Sequence, residues 1–345
     1  MKNHIQLSRR FILIISIIFA VHTFKANAAQ PEIWGAGGNT FTMLYPEDSV
    51  SFKKVQMQSE QIFVQLYKGF AVVKGVYFFK NHSKEKLNFK MGYPVNGIYS
   101  GGDSTLDQID IDSLSAFKIF ADQVPLSIIK EPQQNDVGQF QAFSENWHVW
   151  QMEFLPEQIK RVEVFFIVST NNAGVRKGYS LKHYNAFLYL LESGSVWKNP
   201  IESGNFYIQL KDGLTLKEIK GISEGFNFQY NPAQQIFWGS KSNFSPTPKN
   251  NLAITYFEKN EKFDFQRILA QQMKYESVID QFSKTDFSTL TFEKTDKKKP
   301  YEISTGLWGF IPAVIMFVLF ILPWIIAGLV LIFIGYRIFK RWKNK

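Results

Sequence analysis

The stretch that decides the fold is Val72-Val-Lys-Gly-Val-Tyr-Phe-Phe-Lys-Asn81, an apolar run that ends at an asparagine. The apolar residues of this run occupy both odd-numbered and even-numbered positions, which predicts a β-strand. The next segment, Leu87–Tyr93, alternates apolar residues with Asn88, Lys90 and Gly92. That strict alternation is typical of a strand with one buried face.

The same pattern continues along most of the chain. His148–Phe154 and Val162–Val168 alternate in the same way on either side of a turn at Pro156. Further strands are predicted at Tyr184–Leu191, Asn205–Leu210, Leu214–Ile219, Phe226–Tyr230, Gln235–Trp238 and Leu252–Phe257. Short strands with regular turn residues indicate a mainly β protein with an antiparallel sandwich-type architecture. We expect one β-sandwich domain over 29–175, and a second β-domain or a continuation of the first over 176–260.

One amphipathic helix is predicted after the strands, within 261–283. Its apolar residues recur at helical spacing: Phe265, Ile268, Leu269, Met273, Ile279 and Phe282. The following segment, 284–306, is polar and rich in Lys and Thr, which suits a stalk.

The N-terminal segment 1–28 has the features of a secretory signal peptide. A basic start precedes an apolar core of about eleven residues, and a small-x-small site follows that predicts cleavage after Ala28. An uncleaved anchor is the alternative, but about eleven residues are too few to span a bilayer as a helix. We therefore expect the central part of the chain to be exported.

A second long apolar segment, 307–335, predicts a transmembrane helix, because it carries no charged residue over a length that exceeds a bilayer core. Aromatic residues suited to the membrane interface lie near its ends, and two prolines that can kink a helix lie within it. These residues are Trp308, Tyr336, Pro312 and Pro323. The basic tail 336–345, with Arg337, Lys340 and Arg341, favours the cytoplasmic side.

The charge distribution argues against a nucleic-acid-binding protein. The formal net charge of +9 comes from four basic residues in 1–28 and five in 306–345, two segments that contain no acidic residue. The intervening 29–305 is neutral, so it has no overall basic surface. The chain also lacks cysteine, which excludes disulfides and thiolate chemistry. An exported chain without cysteine fits a bacterial envelope, either periplasmic or at the cell surface.

Several short motifs resemble an uncharacterised class of bacterial exported β-rich proteins, of the domain-of-unknown-function kind. They are Val76-Tyr-Phe-Phe-Lys-Asn81, Met91-Gly-Tyr-Pro94, Trp147-His-Val-Trp150 leading to Phe154-Leu-Pro156, and Tyr189-Leu-Leu-Glu-Ser-Gly-Ser-Val-Trp197. The resemblance covers roughly 60–210 and implies a secreted sandwich. It implies no activity for any residue of this chain.

Gly221-Ile-Ser223-Glu-Gly225 matches the G-x-S-x-G pattern of α/β-hydrolases, in which the serine is the nucleophile. That chemistry needs a helix after the serine and, in this fold, a histidine further along the chain. The residues after Gly225 alternate like a strand, and all five histidines precede Ser223. A β-turn is the favoured interpretation, and a membrane-tethered serine hydrolase remains an alternative.

Two groups of residues have side chains that can bind a metal ion. Four aspartates at short spacing could hold Ca²⁺, namely Asp103, Asp107, Asp110 and Asp112, although the EF-hand spacing is absent. A solvated acidic loop is the favoured interpretation. His82, His148 and His183 would form a zinc site only if the fold gathered them, and His148 is expected to be a core residue. No cofactor is predicted.

The aromatic residues offer an alternative binding surface. Trp147, Trp150, Trp197 and Trp238 could form a platform for a glycan or a peptide, although alternation predicts most of them in the core. The preferred function is therefore a single-pass membrane protein whose exported β-region binds or scaffolds other envelope components. A glycan- or peptide-binding receptor is the second hypothesis. The expected partners of the protein are the lipid bilayer and an envelope protein.

Overall fold

The computed structural model describes 32–40, 43–44, 51–100, 108–111, 114–132, 140–141, 146–177, 180–191, 194, 197–198, 200–247, 251–296 and 311–343. The predicted signal peptide with Ala28, and Trp308 at the start of the predicted membrane helix, lie outside these described residues. The described part is mainly β, with helices after the last long strand and at the C-terminal end. This confirms the predicted fold class.

The strands, in chain order, are β1 (Glu32–Thr40), β2 (Met43–Leu44), β3 (Val55–Tyr67), β4 (Phe70–Asn81), β5 (Leu87–Pro94), β6 (Gly97–Ser100), β7 (Gln108–Ile111), β8 (Leu114–Ala121), β9 (Val124–Pro125), β10 (Ile129–Pro132), β11 (Phe140–Gln141), β12 (Asn146–Phe154), β13 (Ile159–Ser169), β14 (Gly174–Lys177), β15 (Ser180–Leu190), β16 (Ile201–Leu210), β17 (Ile219–Ile222), β18 (Gln229–Asn231), β19 (Ile236–Phe244), β20 (Leu252–Glu258) and β21 (Glu293–Lys294). The α-helices are α1 (Phe265–Leu269), α2 (Gln272–Phe282), α3 (Ile311–Met316) and α4 (Leu322–Lys343). Short 3₁₀ helices lie at Phe52–Lys54, Leu216–Glu218 and Phe287–Thr289, and a π-helical turn lies at Phe317–Ile321.

A nine-stranded sheet organises the molecule, in the order β21-β18-β19-β16-β3-β4-β13-β8-β9. The run that opened the sequence analysis is its strand β4, which pairs antiparallel with β3 on one side and β13 on the other. Strand β3 stands at the middle of the sheet and pairs in parallel with β16. The sheet therefore departs from a purely antiparallel arrangement at its central position.

An eight-stranded sheet and a four-stranded sheet complete the β-region. Their orders are β11-β6-β7-β1-β14-β15-β20-β17 and β10-β12-β5-β2, and β1 pairs in parallel with both β7 and β15. One continuous core joins side chains from all three sheets, for example Val64 on β3, Phe89 on β5 and Phe187 on β15. The face of the nine-stranded sheet that meets this core is here called the inner face.

The predicted β-segments 29–175 and 176–260 contribute to the same sheet. Strands β3, β4 and β13 belong to the first segment, whereas β16, β18 and β19 belong to the second. Side chains from both also meet in the continuous core, such as Val73 and Ile208. The two segments therefore share one sheet and one hydrophobic core.

Helices α1 and α2 cover the opposite, outer face of the nine-stranded sheet. Ile279 and Phe282 of α2 are buried there in a second apolar cluster that is strongly aromatic. Phe63 on β3, for example, stacks on Tyr207 and meets Phe282 edge-on, with ring centroids 5.4 and 6.0 Å apart. The sheet is buried on both faces in this region, which explains the nearly continuous apolar sequence of β4.

Three predicted elements differ from the observed ones. The segment 284–306 was expected to be a polar stalk, but over its described part Phe287, Leu290 and Phe292 pack against the second apolar cluster and β21 pairs with β18. The segment predicted as the strand Leu214–Ile219 instead contains a 3₁₀ helix, because Thr215 and Glu218 form a capping box in which each side chain bonds the other's backbone N–H. The predicted amphipathic helix is two helices, α1 and α2, separated at Ala270 and Gln271.

The C-terminal helix from Phe317 to Lys343 is long and apolar enough to cross a membrane, and its most apolar part is not buried against the rest of the described chain. The π-helical turn lies immediately before Pro323 in this helix. Proline has no N–H and its ring clashes with the preceding turn, so a locally wider turn accommodates it. Tyr336, Arg337, Lys340 and Arg341 are exposed on the last turns, and the helix continues through them.

Candidate functional site

A polar groove lies on the outer face of the nine-stranded sheet, beside the C-terminal end of α2. Its main cavity has a volume of about 420 Å³, and an adjoining cavity of about 180 Å³ shares four lining residues with it. The shared residues are Lys74, Gln123, Glu163 and Asp280. The floor of the main cavity is apolar and includes Phe63, Val76 and Phe78. A concave site of this size that combines an apolar floor with convergent polar groups is typical of small-ligand pockets.

A chain of ion pairs crosses this groove. The ammonium group of Lys74 lies 3.0 Å from a carboxylate oxygen of Glu163 and also donates a hydrogen bond to Asp280 of α2. Glu163 also forms an ion pair with Arg161, whose Nη1 lies 2.9 Å from Oε1 of Glu163. A second ion pair, Lys118–Glu276, holds the same helix to β8. The helix is thus fixed to the sheet by charged pairs around its apolar contacts.

The inner face of the same sheet holds a different kind of ionisable residue. Glu60 on β3 is fully buried, and neither of its carboxylate oxygens accepts or donates a hydrogen bond within the described chain. Burial raises the pKa of this carboxyl well above its ordinary value, and the nearby Lys241 only partly opposes the shift. Because an isolated buried carboxylate is very costly, Glu60 is expected to carry its proton at neutral pH.

Glu60 has tyrosine hydroxyl groups around it. Tyr77 is its direct cross-strand neighbour on β4, and the Tyr77 hydroxyl is hydrogen-bonded to the hydroxyl of Tyr189 on β15. This bond connects the nine-stranded and eight-stranded sheets through the core. Burial raises the pKa of both phenols well above the ordinary value. A methyl group at Gly75 would overlap the Tyr77 hydroxyl, so the glycine leaves the space that the ring occupies.

Lys241 lies in the same row of the sheet as Glu60. The register aligns Glu60 on β3 with Gly204 on β16, and Gly204 with Lys241 on β19. A Cβ atom at Gly204 would lie 3.0 Å from Glu60 Oε1, so the carboxyl group leans over the glycine. The half-buried Lys241 ammonium lies 4.6 Å from the centroid of the Phe226 ring, and burial lowers the pKa of this lysine.

Ser223, the predicted nucleophile candidate, lies just after β17 and is buried. Its hydroxyl oxygen accepts a hydrogen bond of 2.7 Å from the backbone N–H of Ala253. Among the histidines, His82 pairs with Gln56 through its Nε2, and His148 stacks on Phe117. The serine borders a cavity of about 440 Å³ with Glu224 and Lys294, but its hydroxyl is engaged in holding the backbone of β20.

The predicted aromatic platform is not exposed. Trp147, Trp150 and Trp197 are at most 2% exposed, because they pack in the continuous core, where Trp197 contacts Phe52 and Phe79. Trp238 is half-buried, donates a hydrogen bond to Asn205 and packs against Phe292. The four tryptophans therefore do not form a surface for a glycan or a peptide, which corrects that alternative.

The predicted metal ligands are only partly described. Asp110 lies half-buried on β7, whereas Asp103, Asp107 and Asp112 lie outside the described residues. Calcium binding by this segment stays a prediction. Within the described ranges, no group of three or more His, Asp or Glu side chains is arranged to hold a metal ion. His148 is buried as predicted, and burial lowers its pKa to about 4.

The residues of the groove and of the inner face were not predicted from the sequence. A usable signal existed for Lys74, because it interrupts the apolar run Val72–Phe79 with a charge. Such a charge in a buried strand requires a partner. Its partners Glu163 and Asp280 lie far along the chain, and no local pattern marks them.

No protein-family model matches this chain, and no curated protein matches it. Two solved structures are similar at low sequence identity. A "putative nutrient binding protein" of Legionella pneumophila is 13% identical with a TM-score of 0.45, over 74% of this chain and 78% of that one. A mutant of a two-domain M1 zinc metallopeptidase bound to L-tryptophan is 8% identical with a TM-score of 0.31, over 61% of this chain and 44% of that one.

Proposed function

We propose that this chain is a single-pass membrane-anchored protein of a bacterial envelope, whose exported β-region binds or scaffolds another envelope component at the outer-face groove. The observation that carries the proposal is the apolar helix from Phe317 to Lys343, which no other described part of the chain covers. A helix with apolar residues on all sides needs lipid or another protein around it.

The orientation of the anchor follows from charge. The basic residues at the end of α4 favour a cytoplasmic location, and the predicted signal peptide directs the preceding region outward. The β-region then stands close to the outer surface of the membrane that holds it. A groove on a rigid sheet, flanked by a helix, gives such a region a defined place for contact.

The function is tested by site-specific photocrosslinking in the native membrane. A photoreactive phenylalanine replaces Gln61, an exposed residue that lines the groove, in the full-length protein. The matched control carries the same group at Glu157, an exposed turn residue outside the groove. We expect one envelope component to crosslink from position 61 and not from position 157. Equal or absent crosslinking at the two positions would contradict the groove as the contact site.

Topology needs a separate measurement. Reporter fusions that are active only outside or only inside the cytoplasm are placed after Asp296 and after Lys345. The proposal requires the first to be active outside and the second inside. The opposite result would contradict the proposal that the β-region is exported, whatever the crosslinking shows.

A further inference from the structure

We infer that the outer-face groove binds a carboxylate group attached to an apolar body, either a small organic acid or the C-terminal residue of a polypeptide. This inference rests on the proposed binding function and names the chemistry of its ligand. It follows from the charges, the free donors and the floor of the groove.

The charges that line the main cavity do not cancel. Three cationic side chains, Lys74, Arg161 and Lys284, face two anionic ones, Glu163 and Asp280. The ion pairs of Lys74 with Glu163 and Asp280 satisfy the buried part of this set. One positive charge remains, so a ligand with a single negative charge would make the groove neutral.

The excess charge lies where hydrogen-bond donors are still available. The structure shows Arg161 bonded through Nη1 to Glu163, and the Lys284 ammonium makes no ion pair with the described residues. The side-chain amide of Gln61 lines the same cavity, and no hydrogen bond of it is seen within the described ranges. A guanidinium, an ammonium and an amide around one space are suited to the two oxygens of a carboxylate.

The adjacent helix end does not oppose an anion. A helix C-terminus normally presents unpaired carbonyl groups and a partial negative charge. In α2 the last four carbonyl groups, those of 279–282, all accept hydrogen bonds from the backbone or side chains of 283–285. The helix end therefore presents few free acceptors to the groove.

The floor determines the rest of the ligand. Phe63, Val76 and Phe78 line the cavity together with the charged side chains, so the group that carries the carboxylate can be apolar or aromatic. A phosphate or sulfate ion would leave this floor unfilled. A volume of about 420 Å³ suits a body the size of one large side chain with its backbone.

The probes are N-acetyl-L-phenylalanine, its C-terminal amide, and a five-residue peptide that ends in phenylalanine, with a free or amidated C-terminus. Binding to the detergent-solubilised full-length protein is measured by calorimetry. We expect the free acids to bind and the amides not to bind. Equal affinity of acid and amide, or binding of neither, would overturn the inference.

The comparison between acid probes identifies the source of the carboxylate. Tighter binding of the peptide acid indicates a polypeptide C-terminus, and equal binding of the two acids indicates a small organic acid. Crosslinking from position 61 without any acid binding would leave the proposed function standing and overturn this inference alone.

Two variants locate the binding. Arg161→Gln and Lys284→Gln are each expected to weaken acid binding about tenfold or more, because each removes a charged hydrogen-bond donor. Lys160→Gln is the matched control, since Lys160 precedes Arg161 on β13 but lies over the Phe154 ring, outside the groove lining. Lys284 is exposed, so its variant is expected to fold normally even if Arg161→Gln does not. An unchanged affinity in Lys284→Gln, or an equal loss in the control, would count against the site.

Discussion

The nine-stranded sheet buries an ionisable side chain on each of its faces, Lys74 on the outer face and Glu60 on the inner face. Lys74 lies between two carboxylates, one from the sheet and one from α2. Glu60 has no hydrogen-bond partner in the described chain, and its pKa is raised. The two residues illustrate the two ways in which a protein accommodates a buried ionisable group, by pairing the charge or by neutralising it.

The difference has a structural consequence. The outer charge holds a helix in place, because removing any member of the Lys74–Glu163–Asp280 set leaves a partner less satisfied. The carboxyl group of Glu60 makes no hydrogen bond within the described chain, and its raised pKa makes the stability of the core depend on pH. Four variants break or sharpen this comparison.

The largest effect is expected for Lys74→Met. Methionine keeps the volume but removes the charge between Glu163 and Asp280, so we expect a loss of about 3 kcal/mol in the free energy of unfolding. Urea denaturation of the full-length protein measures this loss. A change smaller than about 0.5 kcal/mol would show that the ion pairs do not stabilise the helix contact.

Glu60→Gln tests the neutral state of the inner carboxyl group. A folded-state pKa above the ordinary value of 4.5 means that the native state keeps a proton that the unfolded chain releases. The contribution of this proton to the free energy of unfolding is complete below pH 4.5. It is lost as the pH rises through the raised pKa of Glu60, by up to about 1.4 kcal/mol per pH unit.

The glutamine variant should lack this dependence. Relative to the original protein, its unfolding free energy should increase as the pH rises above 4.5. Thermal or urea denaturation across this range measures the difference. Parallel pH profiles for the two proteins would show that Glu60 is ionised or solvated in the folded state.

Gly204→Ala tests the close packing beside Glu60. The added methyl group would lie 3.0 Å from Glu60 Oε1, 3.2 Å from the Phe206 ring and 3.3 Å from the Phe244 ring. We expect a destabilisation of about 1–2 kcal/mol from overpacking. The same substitution in a Glu60→Ala background should cost less, and strictly additive effects would contradict the contact.

The smallest effect is expected for Lys118→Met. Lys118 pairs with Glu276 of the same helix that Lys74 holds, but its side chain is 38% exposed, compared with 10% for Lys74. Because solvent screens an exposed pair, the loss should be about 0.5 kcal/mol. A loss equal to that of Lys74→Met would mean that burial does not set the strength of these pairs.

The sequence was sufficient to predict the strands but not their partners. Alternation in β5, β12 and β13 identified each strand and its buried side, and the alternation in β12 correctly favoured a core position for Trp150. Strand pairing depends on contacts between distant segments, so the parallel pair of β3 with β16 left no local pattern.

The groove could not be predicted for a related reason. Its charged residues come from β4, β13, α2 and the turn after α2, and apart from Lys74 none of them is marked by a local sequence pattern. Only the folded sheet brings Lys74 within 3.0 Å of Glu163. The predicted strand at Leu214–Ile219 was replaced by a 3₁₀ helix because the capping box Thr215–Glu218 outweighs a weak alternation.

The parallel pairing at the centre of the nine-stranded sheet also sets the order in which the chain can fold. Side chains that bond across this pair, such as Gln65 and Gln209, are 144 positions apart in the sequence. A chain that emerges N-terminus first can close the β3–β4 hairpin early, but β3 keeps one open edge until β16 has emerged. High contact order of this kind slows folding and exposes an unpaired edge to other chains. The protein is therefore expected to depend on chaperones during its synthesis more than its mature stability suggests.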